Sequence, residues 1–382
     1  MAKIVYIVGG NLSANGMSQV LIQKINYLAE NTNHELYMVL TERKGEPFYY
    51  SVNKKVKYVN FDINFDELDT MSFLKKMISY YSKQKIYKKL LSSYLIDLKA
   101  DIVVSAMRRE INFINKIKDG SKKIGELHFN KSSYRIFNKS FLPGFINNAI
   151  TKCWQESLLK QIDKLDRFVV LSNEDKEAWG SLHNIQVIYN PIKEISSVTS
   201  NCLQKKVIAV GRYTYQKGFD MLIRAFKIVS KNHPDWKLEI YGSGDNLEYQ
   251  KLANSMGVNN NVSCNSSCTD IYSKYVESSI FVLSSRYEGF GLVLAEAMSC
   301  GVPCVSFACP CGPKDIITNG VDGLLVPSGD VNVLAEKICW LIENETDRIT
   351  YGNNAVKSAM RFSEETIMSQ WVSLFDSLLS RR

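Results

Sequence analysis

The sequence lacks an apolar run long enough to cross a bilayer, and its start lacks the form of a secretory leader. Behind Lys3, the run Ile4–Val8 is only strand-length. A leaderless, cytoplasmic chain is the expectation. Cys-x2-Cys pairs are also missing, and no histidine lies among the six cysteines from Cys264 to Cys311. Nine cysteines is an odd number, so the thiols read better as reduced, buried apolar side chains than as disulfides or a zinc site. There is no Gly-x4-Gly-Lys-Ser/Thr phosphate loop and no Asp-x-Asp pair to hold a metal–diphosphate complex. Gly242-Ser-Gly244-Asp lacks the third glycine of a dinucleotide fingerprint and reads as a tight turn. No internal repeat or low-complexity block stands out.

What is present fits two domains of moderate size. The chain has 382 residues, 45% hydrophobic and 23% charged, enough for each half to bury its own core. The net charge of +8 is unevenly spread. Residues 1–200 carry 29 Lys and Arg against 20 Asp and Glu; residues 201–382 carry 18 against 19. The positive excess therefore belongs to the first half and hints at an anionic partner there.

Strand and helix signals alternate along both halves, which implies parallel sheets with helices on both faces. Lys3–Val8, His34–Thr41, Asp101–Ser105, Lys122–Leu127, Arg167–Leu171 and Ile185–Ile188 read as strands of the first half. Phe141 to Leu165 reads as one long helix. The polar stretch Lys193–Gln204 reads as an interdomain connection, after which the pattern restarts at Val207. Glu364–Leu379 is a last amphipathic helix. The expected fold is α/β, with two tandem Rossmann-like domains, 1–192 and 193–363, facing a cleft. The closing helix, 364–382, is expected to pack toward the first domain.

Four constellations carry chemistry. In Ser284-Ser-Arg-Tyr-Glu288-Gly-Phe-Gly-Leu-Val-Leu-Ala-Glu296 a strand gives way to a helix expected to open at Phe290. Free N–H groups at Phe290, Gly291 and Leu292 would make an anion site at its tip. Glu296, two turns in, can accept two hydrogen bonds from a vicinal diol such as ribose. An exposed glutamate pair is the bland reading, but Leu292–Met298 is too apolar for a solvated helix. In Val210-Gly-Arg212-Tyr-Thr-Tyr-Gln-Lys217-Gly218, two cations across a turn can clamp a diphosphate, or can simply form a basic loop. Gly9 to Val20 is a glycine-rich strand-to-helix link suited to close approach of a phosphate or sugar. Finally, Gly125-Glu126-Leu127-His128 ends a strand, where a histidine is either structural or faces a ligand.

Together these motifs resemble the GT-B glycosyltransferases, specifically their large retaining family 4, the glycosyl transferases group 1. That family's hallmark is two glutamates separated by seven residues in a Glu-Gly-Phe-Gly context, as Glu288 and Glu296 are here. Gly312-Pro313-Lys-Asp315 and Gly320-Val-Asp322-Gly323-Leu-Leu-Val326-Pro327 fit as well, and the likeness runs over roughly residues 205–345. The resemblance implies that Glu296 binds the nucleotide ribose and Glu288 the hydroxyls of the donor sugar. It assigns Arg212 and Lys217 to the phosphates, and His128 to the donor's primary hydroxyl. Gly16 matches a family glycine, but Ser18 stands where the family carries an acid on the acceptor side. Glu126 is a second acceptor-side candidate. No metal and no cofactor besides the nucleotide sugar is implied.

The reaction so implied is metal-independent, retaining transfer of a hexose or N-acetylhexosamine. The donor would be a nucleotide sugar, uridine-linked, and the acceptor a glycan or lipid-linked hydroxyl in surface polysaccharide or lipopolysaccharide assembly. The alternatives are a nucleotide-sugar epimerase or hydrolase on the same fold, and a non-catalytic nucleotide-binding protein at a membrane. No nucleic-acid motif is present. Phe73–Tyr94 carries six lysines, with no acid between Asp69 and Asp97, and apolar residues at helical spacing. It reads equally as a solvated helix face or as a helix lying on anionic lipid.

Overall fold

A computed structural model describes residues 1–9, 16–134, 143–193 and 195–380. The chain divides into two compact units. The first comprises Met1–Leu171, Lys176–Ile188 and Met368–Arg382; the second comprises Ser172–Asp175 and Tyr189–Ile367.

The first unit is built on a seven-stranded, wholly parallel sheet. Its strands are β1 (Lys3–Gly9), β2 (Glu35–Leu40), β3 (Lys57–Asn60), β4 (Ile102–Ser105), β5 (Lys122–Glu126), β6 (Arg167–Val170) and β7 (Ile185–Val187). Their order is β3-β2-β1-β4-β5-β6-β7. The central strands are continuous apolar runs because both faces are covered by helices. β1 is buried almost end to end, and Val5, Ile7, Val39 and Val103 join one core with Leu91 and Leu95 from the helix Phe73–Leu98. The long helix begins later than its sequence suggests, at Gly144, and ends at Ile162. Phe141 and Leu142 lie outside the described residues.

The second unit has a six-stranded parallel sheet. It contains β8 (Lys206–Val210), β9 (Lys237–Gly242), β10 (Val262–Ser266), β11 (Ile280–Leu283), β12 (Cys304–Phe307) and β13 (Gly323–Val326), in the order β10-β9-β8-β11-β12-β13. This is the doubly wound order of a dinucleotide-binding sheet. The helix Phe219–Asn232 covers it with Leu222, Ile223, Phe226 and Val229, a 3.6-residue stripe, all fully buried. The helix Val331–Glu343 starts where Asp330 accepts hydrogen bonds from the N–H groups of Asn332 and Val333, at 3.1 and 3.0 Å.

Two edge strands, β3 and β10, escape a reading of the sequence. Lys-Tyr-Val-Asn and Val-Ser-Cys-Asn-Ser bury too few side chains to carry an apolar signal. The polar connection after Lys193 is also less free than its composition suggests. Ser200 N–H donates to Cys300 O at 2.8 Å, and the Ser200 hydroxyl donates to Ser278 O at 2.6 Å. Buried Arg348 donates to Cys202 O at 2.9 Å and to Leu341 O and Ile342 O at 2.6 and 2.9 Å. One guanidinium thus closes the end of a helix and anchors the connection to the second unit. All nine cysteines are free thiols. Burial pushes the Cys264 thiol up to about 11 and Cys311, near several carboxylates, up to about 12. Among the described residues, no helix is long and apolar enough to cross a membrane.

Arg348→Met leaves three buried carbonyls without their donor. It is expected to cost about 3 kcal/mol. The thermal transition of the second unit should then fall by roughly 10 °C, as read by calorimetry; an unchanged midpoint would show that water replaces the guanidinium at no cost.

Candidate active site

In the second sheet the strand order reverses between β8 and β11. The loops leaving such neighbours diverge to opposite faces and open a crevice at the carboxyl ends of the strands. The loop after β8 carries Gly211, Arg212 and Lys217; the loop after β11 carries Ser284, Ser285 and Glu288. The two loops are tied together by several polar contacts. The Ser284 hydroxyl donates to Lys217 O at 3.0 Å, Arg286 N–H donates to Gln216 O at 2.8 Å, and the Gln216 amide donates to Tyr287 O at 2.9 Å. Arg286 grips Asp220 with two parallel bonds of 2.9 and 2.8 Å and lies over the Tyr215 ring.

Glycine makes this closeness possible at two points. Gly218 is left-handed, with φ +63°, and a Cβ there would sit 2.1 Å from Ser284 O. Gly312, at φ +104°, lies so near the Phe290 backbone that a Cβ would meet its carbonyl oxygen at 1.8 Å. The Glu288 backbone is fixed from the other side. Its N–H donates to Pro310 O at 2.7 Å, and its carbonyl accepts from Cys311 N–H at 3.1 Å.

Within this frame Lys217 Nζ donates to Glu288 Oε1 at 2.6 Å, and both side chains are largely buried. Ser285 donates to the same carboxylate oxygen at 2.5 Å. Glu296 lies inside the buried helix Leu292–Ser299 and accepts from the Tyr275 hydroxyl at 3.2 Å. Burial pushes its carboxyl up to about 7, against the opposing pull of Tyr275 and the Lys217 charge. The structure therefore gathers Lys217, Glu288 and Glu296. Arg212 is on the same loop but exposed, and makes no ion pair among the described residues.

The helix expected to open at Phe290 begins two residues later. Phe290 is buried, with its ring 5.6 Å from Tyr189 and 5.5 Å from Phe362. Gly291, at φ +92°, caps the helix, and Leu292 is its first residue. The tip consequently presents Leu292 and not Phe290, whose side chain has been drawn into the core.

In the first unit, His128 lies two residues past β5 and Glu126 is the last residue of that strand. Glu126 points inward. It is 1% exposed and accepts a hydrogen bond from Lys24, also 1% exposed, on the helix Gly16–Asn31. This places Glu126 behind His128 and leaves it no surface from which to meet an acceptor. Ser18 is likewise buried. Gly16 opens the same helix in exposed surroundings, with no atom crowding its missing side chain. Gly10 to Asn15 lie outside the described residues.

Several of these contacts were hidden from sequence inspection. Arg286 sits in one motif already singled out and Asp220 lies two residues past another, but nothing in the chain pairs them. Lys24 did leave a trace. It occupies an apolar position between Leu21, Ile25 and Leu28, where a lysine belongs only if a buried anion waits for it.

A family model, "Glycosyl transferases group 1", matches residues 193–358. An exopolysaccharide phosphotransferase of Streptomyces coelicolor is 34% identical over 59% of this chain, which spans only 25% of that protein. An uncharacterized glycosyltransferase of Haemophilus influenzae is 26% identical over 97% of this chain and 99% of its own. A mutant of S. aureus TarM, crystallised with fondaparinux, alpha-GlcNAc-glycerol and UDP, shares the fold with a TM-score of 0.74. That likeness covers 98% of this chain and 100% of the other at 17% identity. The Glu288–Glu296 span and the Lys217 loop both fall inside the stretch that matches the glycosyl transferases group 1, and the chain has the GT-B fold.

Proposed function

We propose that this enzyme moves a hexose or N-acetylhexosamine from a uridine-linked nucleotide sugar to a hydroxyl of a glycan or lipid-linked acceptor. The transfer retains anomeric configuration, needs no metal, and serves the assembly of a surface polysaccharide or lipopolysaccharide at the cytoplasmic face. The observation that carries this reading is the Lys217–Glu288 contact at the switch point, with buried Glu296 beside it. The S. coelicolor relative is named for an exopolysaccharide, and the TarM crystal holds UDP; both support the substrate class.

In this reading Glu296 accepts the ribose hydroxyls, and Lys217, Arg212 and the N–H groups at Leu292 offset charge on the departing diphosphate. Glu288 holds the donor sugar's hydroxyls. Its Oε1 is engaged by Lys217 and Ser285, so the carboxylate is better suited to hold than to attack. The acceptor then attacks from the face the diphosphate leaves, and a leaving phosphate oxygen takes the acceptor's proton. The membrane side of the reading rests on the helix Phe73–Leu98. Leu74, Ile78 and Tyr81 are exposed along one stripe that continues into exposed Lys85 and Lys89. Lys76 and Lys83 are engaged elsewhere, by Asp69 at 2.7 Å and Glu67 at 2.8 Å.

Three outcomes test these assignments. Lys217→Ala and Glu288→Gln should each lower kcat/KM for sugar transfer by about a hundredfold or more, measured with the UDP-sugar that most stabilises the protein in a thermal panel. Donor turnover that is equally fast without any acceptor would instead mark a hydrolase or epimerase.

The pH dependence of donor binding follows from Glu296. Ribose favours the ionised carboxylate, so below about pH 7 binding must first expel its proton. Affinity for a UDP-sugar should therefore weaken toward acid by up to about tenfold per pH unit. Glu296→Gln should bind more weakly and flatten this slope in calorimetry; an unaltered slope would remove Glu296 from the donor site.

Reversing Lys75, Lys85, Lys88 and Lys89 to glutamate should abolish cosedimentation with anionic phosphatidylglycerol vesicles. If the quadruple variant still pellets with them, the helix is an ordinary solvated face.

A further inference from the structure

The first sheet has a switch point of its own. Its strand order reverses between β1 and β4, so a crevice opens at the carboxyl ends of those two strands. The chain leaving β4 reads Ala106-Met-Arg-Arg-Glu110 and carries two arginines in succession there. The same half of the sequence holds the whole positive excess, 29 Lys and Arg against 20 Asp and Glu over residues 1–200.

The turn that presents them is fixed from beneath. Met107 is left-handed, at φ 56°, an uncommon conformation for a residue with a side chain. Its N–H donates to Ser105 Oγ at 3.0 Å, its carbonyl accepts from the Tyr134 hydroxyl, and its side chain is fully buried. Buried Glu110 accepts from the Ser105 hydroxyl at 2.6 Å and from the Arg108 N–H at 3.0 Å, both with Oε1. The Gln84 amide donates to Arg109 O at 3.3 Å. A left-handed residue and a buried carboxylate thus fix the backbone under two guanidinium groups.

Each arginine is laid against an aromatic ring. The stem of exposed Arg108 lies beside Gly9 at the end of β1, and its guanidinium is 5.8 Å from the centre of the Phe129 ring, past β5. Arg109 turns to the buried Phe65 ring, 4.4 Å from its centre. Stacking uses the face of a guanidinium and leaves its N–H edge for other partners. Arg109 is 35% exposed, and among the described residues its guanidinium makes no hydrogen bond; its ion pair there is with Glu42 Oε1, at 3.9 Å. Glu42 is engaged elsewhere, by the Thr41 hydroxyl at 3.0 Å and the Asp66 N–H at 3.2 Å. Burial outweighs the pull of Arg109 on its carboxyl and raises it. A half-buried planar fork of donors with no oxygen bonded to it is suited to a phosphate.

We propose that Arg108 and Arg109 form an anion site of the first unit, and that it takes a phosphate ester carried by the acceptor. Assigning that ester to the acceptor rests on the glycosyltransfer reading given above; the anion site does not. The ester can belong to a water-soluble chain or to a lipid headgroup, and the recognising chemistry is the same.

Phosphorus NMR of sn-glycerol 3-phosphate tests the site on the full chain, with a slight excess of UDP present to occupy the nucleotide site. The parent should broaden and shift the signal in a saturable way, whereas glycerol, its neutral counterpart, should not bind in a proton-detected titration. Arg109→Gln should weaken the affinity by about tenfold or more. Arg108→Gln combined with Arg109→Gln should abolish saturable binding, with a thermal midpoint like that of the parent. Arg109→Lys keeps the charge without the fork and should restore only part of the affinity.

A parent protein that leaves the signal unaltered overturns the proposal. So does a double variant that binds as the parent does, or glycerol that binds as well as its phosphate. Cosedimentation of the double variant with phosphatidylglycerol vesicles separates the two sources. Alongside lost glycerol phosphate binding, lost pelleting assigns the ester to a lipid headgroup and unchanged pelleting to a water-soluble chain, and either result supports the site. None of these readouts needs turnover. Consumption of the donor without an acceptor would end the glycosyltransfer reading, and the NMR titration would still decide the anion site.

Discussion

The second unit depends on how closely its loops approach one another, backbone against backbone. At Gly218 the chain passes Ser284, and at Gly312 it passes Phe290, with no room for even one added carbon. The first contact sets the spacing of the loops after β8 and β11 and the second holds the loop after β12 against the latter, and in that frame Lys217 and Glu288 come to 2.6 Å. The Arg286–Asp220 fork and the Ser284–Lys217 bond hold the same pair of loops from the outside. The charged side chains do not create the site; they occupy one that backbone sterics have already shaped.

Two buried glutamates show how surroundings decide a carboxyl's character. Glu296 has a tyrosine hydroxyl for company and only the more distant charge of Lys217, so burial prevails and its carboxyl rises to about 7. Glu126 is just as buried, but a lysine sits against it and a histidine lies beside it, and it falls to about 2. One group is poised to lose a proton near neutrality and the other is a fixed negative charge. Residue type and burial are the same, and a neighbouring cation makes the difference.

Much of this was legible in the sequence, for identifiable reasons. The buried parallel strands are apolar runs, and the helices over them carry 3.6-residue stripes, so most elements fell within a few residues of their positions. Edge strands β3 and β10 were missed because an edge buries little. The helix start at Leu292 was misplaced because Phe290 belongs to an aromatic cluster with Tyr189 and Phe362, which only tertiary contact reveals. The Glu288–Glu296 spacing and the Lys217 loop could be read because each lies on one short segment. The partners Arg286 and Asp220, or Lys24 and Glu126, are separated by many residues, and no local pattern joins them. Glu126 was noticed as a carboxylate near the end of a strand, yet its direction, inward toward Lys24, is a property of the fold alone.

The Lys217–Glu288 pair also has a consequence for the energetics of recognition. Without a ligand the ammonium is already neutralised, largely out of water, by a carboxylate on the neighbouring loop. An anion that arrives there does not meet a bare cation but competes with a resident counter-ion, so binding exchanges partners and adds little new charge pairing. Glu288, still held by Ser285, would then have lost its cation, and the hydroxyls of a sugar are suited to replace that donor. Charge and sugar would in this way be recognised as one event: a phosphate without a sugar would cost Glu288 its ammonium partner, and a sugar without a phosphate would find the carboxylate engaged.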